Sequence, residues 1–561
     1  MSLKESISNI VIDYIQQKYG NNLNYANQIL LGVKRILTDK DYNFPKKLSF
    51  GKVSKNIIIQ NALSKLNEKE TRRKKEGVYY TDSDVTNFIC VNVMLHYIES
   101  RTKDIKGLET CIDILSKKSK DKLNKIFNAT IFDPTCGAGE FLLSALSIKM
   151  ELCKKIQNYN ALDLVRNIYG NDIEAQSTDI AKIRIFFYVI DNSDDLADID
   201  GVVSIINHNF TNIDMVNTKD NVIWNNKDII LGNPPYVEYR NFDGKHKYNY
   251  GNVYADVLHN SVDMMSEKGI MAFVVPLSYV STIRMKGIRD YISKNAEKQI
   301  VLNFADRPDA LFSCVHQKLT IVLAQKKSTY KGVLSSSYKY WYKAERKSLF
   351  NNISVIETDT GNDEYLPKIG NKTELDIYKK FQERKGKCIY ELKSEKGTNK
   401  TIYINQRGCF WMKVFSKEMN SKSYMEISIA EEYQPFVYCL INSSLFFLLW
   451  IIISDGWHIT KKELSFIKIP SNINNYDVWI HLMNRLENRL EDTKVYVGTK
   501  QVDYEYKHKK CKYIIDEIDE ELSKVFNLDS SQLDYIKSFG LKYRLWRWWK
   551  RWRNLRWSPR I

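Results

Sequence analysis

The sequence has 561 residues, and 84 Lys and Arg against 67 Asp and Glu give a formal net charge of +17. A hydrophobic fraction of 43% with only 10 Pro and 23 Gly excludes collagen-like, coiled-coil and broadly disordered chains. The length predicts about three domains, each able to bury a core. The basic surplus favours a polyanionic partner, nucleic acid before a membrane surface, with a skewed genome composition as the alternative explanation.

The cysteines and the first residues indicate the compartment. Nine Cys are scattered with no C-x-x-C pair, so neither a disulfide framework nor a zinc site is indicated. The opening MSLKESISNIVIDYIQQ carries charged and amide side chains where a signal peptide needs an apolar core. The longest apolar run, Leu445 to Ile453, is shorter than the roughly 20 residues of a membrane span and is typical of a buried helix or strand. We therefore expect a cytoplasmic protein without a membrane partner.

In chain order, the predicted elements fall into four parts. Residues 1–72 have apolar residues at helical spacing and predict an N-terminal helical segment. Residues 73–330 alternate β-rich runs with helical patterns, which predicts an α/β domain with a mainly parallel sheet. Its expected strands lie in NATIFDP, VRNIYGND, KDIILGN, GIMAFVVP and LTIVLA. Residues 331–543 are irregular and rich in aromatics, as in a separate α+β domain, and residues 544–561 form a basic, Trp-rich tail.

A glycine-containing turn follows the first expected strand, in IFDPTCGAGEFLLSAL. Gly137 and Gly139 let the backbone approach a ligand, and the following helix presents unpaired N–H groups at its N-terminus. Asp133 at the strand end suits a ligand with a cationic amino group. Because the spacing is not G-x-G-x-x-G, a dinucleotide pyrophosphate is not the natural ligand. A plain tight turn is the alternative.

A second acid stands at the tip of the next expected strand, in IYGNDIEAQ. Asp172 is placed to accept hydrogen bonds from ribose hydroxyls, with Glu174 or a solvated turn acid as the alternatives. Further on, HNF ends another β-like run, where Asn209 and Phe210 would edge and stack an adenine ring. These residues together predict a nucleoside-binding edge of the sheet.

The segment KDIILGNPPYVEY carries the strongest signal. A buried strand leads into Asn233, Pro234, Pro235 and Tyr236, and the prolines fix φ and remove N–H donors, so the loop is rigid and presents acceptors. The Asn233 side-chain oxygen and the Pro234 carbonyl can accept both protons of an amino group, and Tyr236 supplies a face for a planar base. This pattern predicts methyl transfer to the exocyclic amine of adenine by positioning and electrostatics, with no metal required.

In this order, DPTCGAGEF, IYGNDIEA, HNF and GNPPYVEY resemble the motifs of gamma-type bacterial DNA adenine-specific (N6-adenine) methyltransferases of restriction-modification systems, and EGVYYTDSDVTNFI resembles their additional cofactor motif. The resemblance implies a Rossmann-like S-adenosylmethionine-dependent methyltransferase domain over residues 73–330. Asp82 stands where the family commonly has Pro, which leaves the path of this first loop open. The cofactor-binding residues that the resemblance implies are Tyr80, Thr81, Asp133, Gly137, Gly139, Asp172, Asn209 and Phe210.

Two further resemblances concern the base and the target. ALFSCVHQKLTIVLA resembles the segment whose aromatic residue holds the flipped base opposite the catalytic loop, and Phe312 is the match, with an ordinary core aromatic as the alternative. Residues 331–543 resemble a TaqI-like target recognition (DNA-binding) domain. Within it, INSSLFFLLWIIISDGWHITKKELSFIKIP carries His458, Lys461 and Lys462, which would meet phosphates or bases. The Trp-rich tail receives no function.

The expected activity is site-specific methylation of double-stranded DNA with S-adenosylmethionine as co-substrate, in a restriction-modification or related phage-defence system. We expect a monomer. Cleavage by this chain is not expected, because the N-terminal segment is too short for a fused nuclease, so a separate cognate restriction endonuclease is a candidate partner. Two alternatives stay open. One is methylation of RNA or of protein glutamine, and the other is a non-catalytic DNA-specificity protein, against which stands the intact loop at residues 233–236.

Overall fold

A computed structural model describes residues 2–545, with gaps at 50–56, 68–80, 155–159, 194–197, 218–223, 313–315, 359–363 and 500–502 and at positions 243, 245, 352, 396, 420, 471–472 and 474. Tyr80 and the tail beyond residue 545 therefore lie outside the described residues. The buried apolar side chains form one continuous cluster that runs from Ile7 to Ile536.

The chain begins with helices that bury one apolar face. Ser2 caps the first helix by accepting a hydrogen bond from the N–H of Glu5, whose carboxylate accepts one from the N–H of Ser2. The helices before the first strand are α1 Leu3–Tyr19, α2 Leu23–Ile36, α3 Ile59–Asn67, α4 Ser83–Ile98, α5 Leu108–Ser116 and α6 Lys120–Asn128. Helices α1 to α3 confirm the helical character predicted for this segment.

A nine-stranded sheet lies at the centre of the fold. Its strands are β1 Ile131–Asp133, β2 Ile168–Asn171, β3 Phe210–Thr211, β4 Lys227–Gly232, β5 Met265–Pro276, β6 Lys298–Phe304, β7 Leu319–Gln325, β8 Gly332–Lys339 and β9 Val355–Thr358. Their order is β3-β2-β1-β4-β5-β7-β6-β8-β9. The pairs from β3 to β5 are parallel, whereas β7 runs antiparallel between β5 and β6. The predicted α/β class is confirmed.

Helices connect these strands and cover the sheet. Their bounds are α7 Glu140–Cys153, α8 Ala161–Val165, α9 Ala175–Asp191, α10 Ile199–Asn209, α11 Val253–Met264, α12 Ser278–Ser281 and α13 Lys286–Asn295. All residues of β6 and β7 are buried, as expected for strands covered on both faces. The five strands predicted from the sequence are β1, β2, β4, β5 and β7. The prediction that HNF ends a β-like run is wrong. Those residues form α10, because Asp198 caps a helix in which Val202, Val203 and Ile206 are buried at helical spacing.

The sheet continues past the boundary predicted near residue 330. Strands β8 and β9 extend it to Thr358, so a division at that residue would fall inside one sheet. The remaining strands form two smaller sheets, β11-β10-β12 and β13-β14, with bounds β10 Asn399–Asn405, β11 Val414–Phe415, β12 Tyr424–Ala430, β13 Val495–Tyr496 and β14 Tyr504–Glu505. The remaining helices are α14 Lys372–Gln382, α15 Gln434–Asn442, α16 Ser444–Ile453, α17 Lys461–Phe466, α18 Tyr476–Thr493, α19 Lys512–Phe526, α20 Ser530–Ser538 and α21 Leu541–Arg544.

The long apolar run of the sequence is the buried helix α16. Every one of its residues is buried, and Asp519 accepts hydrogen bonds from the N–H groups of Ser444 and Leu445 at 3.0 and 3.1 Å. In the part of the chain that the structure describes, no single helix is long and apolar enough to cross a membrane. One pair, Glu431–Asn442 with Ser444–Ile453, passes that test jointly by length and composition but is bent by 66°.

The part of the chain after β9, here called the C-terminal region, packs against the carboxyl edge of the central sheet. The N–H of Leu366 donates to the carbonyl of Val280 at 2.7 Å, and Lys462 Nζ donates to the carbonyl of Ser281 at 2.8 Å. Both acceptors lie in α12, directly after β5. The region therefore faces the edge where the predicted cofactor and catalytic residues lie.

Candidate active site at the carboxyl edge of the sheet

Three polar residues meet where β2, β1 and β4 end side by side. Asp172 follows β2, Asp133 ends β1 and Asn233 follows β4. These strands are adjacent and parallel, so their carboxyl ends share one edge. Open α/β sheets bind ligands in the crevice outside that edge. The predicted cofactor and catalytic residues thus occupy neighbouring positions.

The turn between β1 and α7 requires glycine. Gly137 and Gly139 have φ angles of +51° and +82°, which L side chains rarely adopt. A Cβ on Gly139 would also lie 3.1 Å from the Cβ of Ala181. The N–H of Gly137 donates to Asp172 Oδ2 at 2.8 Å. The turn is therefore tied to the acid of the neighbouring strand.

The Asp133 carboxyl group is buried, with 1% of the residue exposed. Its Oδ1 accepts a hydrogen bond from the N–H of Thr135 at 3.0 Å. Burial raises the pKa of Asp133 well above its usual value, against the effect of that hydrogen bond, and the nearby Asp172 charge raises it further. A cationic group beside Asp133 would favour its charged form. A Cβ on Gly232 would lie 2.6 Å from Asp133 Oδ1, which explains the glycine before the predicted catalytic loop.

Asn171, which sequence reasoning missed, joins the loops after β1 and β3. Its Nδ2 donates to the carbonyls of Pro134 and Ile213, both at 3.0 Å. Its Oδ1 accepts from the Thr211 hydroxyl at 2.8 Å and from the N–H of Ile213 at 3.0 Å. The residue is 1% exposed. An amide at the last position of a buried strand was the signal that could have identified it.

Asn209 and Phe210 do not reach this edge as the sequence predicted. Asn209 ends α10, and its Nδ2 donates to the carbonyls of Arg166 and Ile168 at 2.9 and 3.0 Å, beside the start of β2. Phe210 is 4% exposed, and a Cβ on Gly170 would lie 2.6 Å from its ring. Both side chains are held in the interior because the helix extends to Asn209 and leaves two residues for β3.

The residue that lies at the edge after β3 is Asn212. Its Nδ2 donates to the carbonyl of Asp172 at 3.0 Å and to the hydroxyl of Thr178 at 2.6 Å. Asn212 is exposed, so it borders the crevice next to Asp172, where the adenine contact was expected.

The loop after β4 holds Asn233 between two hydroxyl groups. Asn233 Nδ2 donates to the Thr81 hydroxyl at 3.1 Å, and Asn233 Oδ1 accepts from the Tyr236 hydroxyl. The Tyr236 hydroxyl also lies 3.0 Å from the Val274 carbonyl, but its single proton serves one acceptor at a time. Thr81 is 3% exposed. The structure therefore joins Thr81 to the predicted catalytic loop. Thr81 belongs to the segment that resembles the additional cofactor motif, which is the first cofactor motif along the chain.

The rest of this loop is rigid. Pro234 is buried, whereas Pro235 and Tyr236 are half-buried, and neither proline has an N–H donor. The Tyr236 ring meets Tyr254 edge to face, with centroids 6.4 Å apart and ring planes at 87°. The contact with Tyr254 fixes the orientation of the Tyr236 ring relative to Asn233.

Phe312 is 1% exposed, as expected of a core aromatic. The residue before it is held by Arg346, which donates to the Leu311 carbonyl at 2.8 Å. Arg346 also pairs through two nitrogens with the Asp84 carboxylate, in the first turn of α4. The Phe312 loop is therefore tied to the helix that follows Thr81, but in this conformation Phe312 presents almost no surface.

A buried carboxyl group lies behind the predicted catalytic loop. Asp256 on α11 is fully buried, its Oδ1 accepts from the Tyr239 hydroxyl at 2.7 Å, and its Oδ2 has no hydrogen-bond partner among the described residues. Burial raises the pKa of Asp256 to about 6, against the effect of the Tyr239 hydrogen bond. The same helix carries Tyr254, the packing partner of Tyr236.

Of the three C-terminal residues expected to meet DNA, His458 and Lys461 are exposed. Lys462 has another role, because its Nζ donates to the carbonyls of Ser281 and Ile453 at 2.8 and 2.9 Å. It therefore holds the C-terminal region against the central sheet.

Comparison with known proteins finds similarity over part of the chain. Residues 166–310 match the family model described as Eco57I restriction-modification methylase. A protein of Methanocaldococcus jannaschii named "Putative type II restriction enzyme and methyltransferase" is 30% identical over 155 residues, which cover 22% of this chain and 13% of that relative. Both matches are to proteins described as methylases or methyltransferases of restriction systems. This chain spans only a small part of the relative's length.

A solved structure shares the fold. The type IIL restriction-modification enzyme MmeI, in complex with DNA, has a TM-score of 0.53 at 11% identity, covering 97% of this chain and 94% of that one. A nuclease-deletion mutant of the type ISP enzyme LlaGI, with a DNA substrate mimic, has a TM-score of 0.45 at 12% identity, covering 86% and 58%. At 11% identity the likeness to MmeI concerns the fold alone, and the predicted Rossmann-like α/β fold is confirmed.

The groups at this edge fit S-adenosylmethionine. Asp133 is a desolvated carboxyl group that an ammonium group would stabilise, and Asp172 offers carboxylate oxygens one strand away. Thr135 Oγ1 is buried and has no hydrogen-bond partner within the described ranges, so a ligand could satisfy it. Among the side chains that the structure describes, no group of three or more His, Cys, Asp and Glu is arranged to hold a metal ion.

Proposed function

We propose that this chain is a site-specific DNA methyltransferase that transfers the methyl group of S-adenosylmethionine to the N6 amino group of a flipped adenine in double-stranded DNA, within a restriction-modification or related defence system. The observation that carries the proposal is the contact between Asn233 and Thr81. It joins an Asn-Pro-Pro-Tyr loop to the first cofactor motif, one strand away from the buried acid Asp133. The restriction-modification methylase match over residues 166–310 supports it.

The catalytic loop supplies acceptors to the target amine. Asn233 Oδ1 is an amide oxygen with two lone pairs that accepts from the Tyr236 hydroxyl, and in the proposal it also accepts a proton of the adenine amino group. The Pro234 carbonyl can accept the second proton. Two acceptors favour a more tetrahedral nitrogen and stabilise the positive charge that develops on it during transfer. Thr81 accepts from Asn233 Nδ2 and so fixes which end of the amide faces the base.

The opposite wall of the crevice would hold the methyl donor. S-adenosylmethionine supplies an electrophilic methyl group when bound. In the proposal, Asp133 binds its amino group, Asp172 accepts from its ribose hydroxyls, and the Gly137 turn lets the backbone approach its methionine part. Asp172 is pre-oriented for this by hydrogen bonds from the N–H groups of Gly137 and Glu174 at 2.8 and 2.9 Å.

A target base must leave the duplex to reach this crevice. The Tyr236 ring offers one stacking face, and Phe312 would offer a second only after its loop moves, since it is buried in this conformation. We assign target recognition to residues 331–543. In support, this region packs on α12 at the carboxyl edge, and the chain carries a net charge of +17.

The proposal is tested by incubating the purified protein with S-adenosylmethionine labelled in its methyl group and with duplex DNA, RNA or protein. We expect label in duplex DNA as N6-methyladenine, at sites identified by sequencing DNA from a methylation-free host that expresses the chain. Asn233→Ala should lose transfer by about 100- to 1,000-fold, as when one preorganised polar group is removed from an active site, while cofactor affinity persists. Asn207→Ala, an exposed amide on α10, is the matched control. Label confined to RNA or protein would contradict the proposal.

A further inference from the structure

Two loops of the C-terminal region form an exposed polar surface, which we name the ribbon surface. It consists of residues 406–408, directly after β10, and residues 457–460, directly before α17. An antiparallel bridge joins Arg407 to His458, and backbone hydrogen bonds of 2.8 and 2.9 Å between the two loops flank it. The ribbon surface is therefore a short two-stranded element with a defined register.

Trp457 anchors the ribbon surface at the carboxyl edge of the central sheet. The guanidinium carbon of Arg307, after β6, lies 5.0 Å from the Trp457 ring centroid, and Lys318 Nζ, before β7, lies 4.9 Å from it. The next residue, Leu319, pairs with Pro276 at the end of β5. Strand β5 is the neighbour of β4, which carries the catalytic loop. The ribbon surface thus lies along the same edge as the proposed active site.

His458 is held rigidly although it is exposed. Asp455 Oδ1 accepts from the N–H groups of Trp457 and His458, both at 2.8 Å, and Asp455 Oδ2 lies 2.6 Å from His458 Nδ1. The Nδ1–H therefore donates to the carboxylate, which leaves Nε2 directed away from it. Gly456, with a φ of +68°, closes this turn. The side chain of His458 is nevertheless 56% exposed, so the turn orients an imidazole that does not pack in the core.

The side chains around His458 have the chemistry of nucleic-acid contacts. The exposed ones are Gln406, Arg407, Thr460 and Lys461. Arginine and glutamine make paired hydrogen bonds to the edges of guanine and adenine, hydroxyls serve several bases, and lysine pairs with phosphate. Burial cannot explain this set, because all four are exposed, although the Thr460 hydroxyl also caps α17 in a capping box with Glu463.

We propose that the ribbon surface contacts base edges of the target sequence, with Arg407 and His458 as specificity-determining residues. This inference rests on the proposed function and assigns part of its target recognition to named residues. The amide, guanidinium and imidazole groups are held in register by the bridge, next to the edge where the extruded base would enter. A pre-organised donor and acceptor pattern of this kind discriminates between bases with little loss of side-chain entropy.

The test is selection of bound duplexes from a random-sequence pool, followed by sequencing, with the full chain. We expect the wild-type protein to enrich a motif, and Arg407→Ala and His458→Ala to relax it at particular positions by about 5- to 150-fold in preference. Arg407→Lys keeps the charge but loses the planar fork, so it should relax the motif while retaining affinity. Lys400→Ala, at the far end of β10 with a side chain 48% exposed, removes the same charge and should leave the motif unchanged.

An unchanged motif in Arg407→Ala and His458→Ala overturns the inference, whether or not overall affinity falls, and so does a wild-type protein that enriches no motif. Thermal unfolding of each variant checks that the fold is retained. Because the readout is binding, it is independent of methyl transfer. A wild-type protein that enriches a motif but labels no DNA contradicts the proposed function alone.

Discussion

Replacing Tyr236 separates the contribution of its hydroxyl from that of its ring. Tyr236→Phe removes the hydrogen bond to Asn233 Oδ1 but keeps the ring and its edge-to-face contact with Tyr254. A hydrogen bond of this kind contributes about 0.5 to 1.5 kcal/mol net, so kcat for DNA methylation should fall by about 2- to 13-fold. The affinity for S-adenosylmethionine should not change, because the acids that are proposed to bind it are untouched.

Tyr236→Ala removes the stacking face as well. Base stacking on an aromatic side chain contributes about 1 to 3 kcal/mol, so together with the lost hydroxyl the rate should fall by about 10- to 2,000-fold. Single-turnover transfer of labelled methyl groups to duplex DNA measures both variants. Tyr476→Phe, at a tyrosine that is 38% exposed on α18, is the control. If the Phe variant were as slow as the Ala variant, the ring would have no role in transfer, and the stacking argument would be refuted.

Two further predictions concern carboxyl groups. Asp172→Ala should weaken S-adenosylmethionine binding by about 10- to 150-fold in calorimetry, because it removes the proposed ribose acceptor. Asp113→Ala, at an exposed aspartate, is the control. Unchanged affinity in Asp172→Ala would show that the ribose acid lies elsewhere. Asp256 has a pKa of about 6 in the folded state, above the ordinary aspartate value of 3.8. The folded state therefore binds more protons than the unfolded state between these values, and wild-type stability falls as pH rises through them. Asp256→Asn does not titrate and should gain stability relative to wild type between about pH 4.5 and about pH 7 in urea unfolding, whereas a constant difference would contradict this assignment.

The sequence predicts those strands of the sheet whose burial is visible in local composition. Strands β4, β5 and β7 are apolar runs bounded by turns, and they were identified. Strand β6 begins with Lys298 and Gln299, which are polar yet 2% exposed. Lys298 Nζ donates to the carbonyls of Ser100 and Thr102 at 3.1 and 3.2 Å, about two hundred positions earlier in the chain. A strand whose polar side chains are satisfied by such distant partners cannot be recognised from local pattern.

The candidate site was predictable in its loops but not in the contacts between them. Asp133, Asp172 and Asn233 stand at strand ends in the sequence, and parallel strands bring such ends to one edge. Asn209 was misplaced because a short strand after a helix leaves no alternating pattern, and α10 extends to that residue. The hydrogen bond from Asn233 to Thr81 spans 152 positions of the sequence, so no local pattern predicts it.

The amides and the acids at this edge have different roles, because an amide can both donate and accept hydrogen bonds whereas a carboxylate can only accept them. Asn171 must supply two N–H bonds to carbonyls of different loops and accept two in return, which neither a carboxylate nor an apolar side chain can do. An aspartate there would also place a third charge beside Asp133 and Asp172, where burial already disfavours ionisation. Asn233 likewise donates to Thr81 and accepts from the Tyr236 hydroxyl, which fixes the orientation of its amide. Asp133 and Asp172 therefore lie on the side of the crevice that suits the cationic S-adenosylmethionine of the proposal. Asn171 and Asn233 fix the loops that approach it.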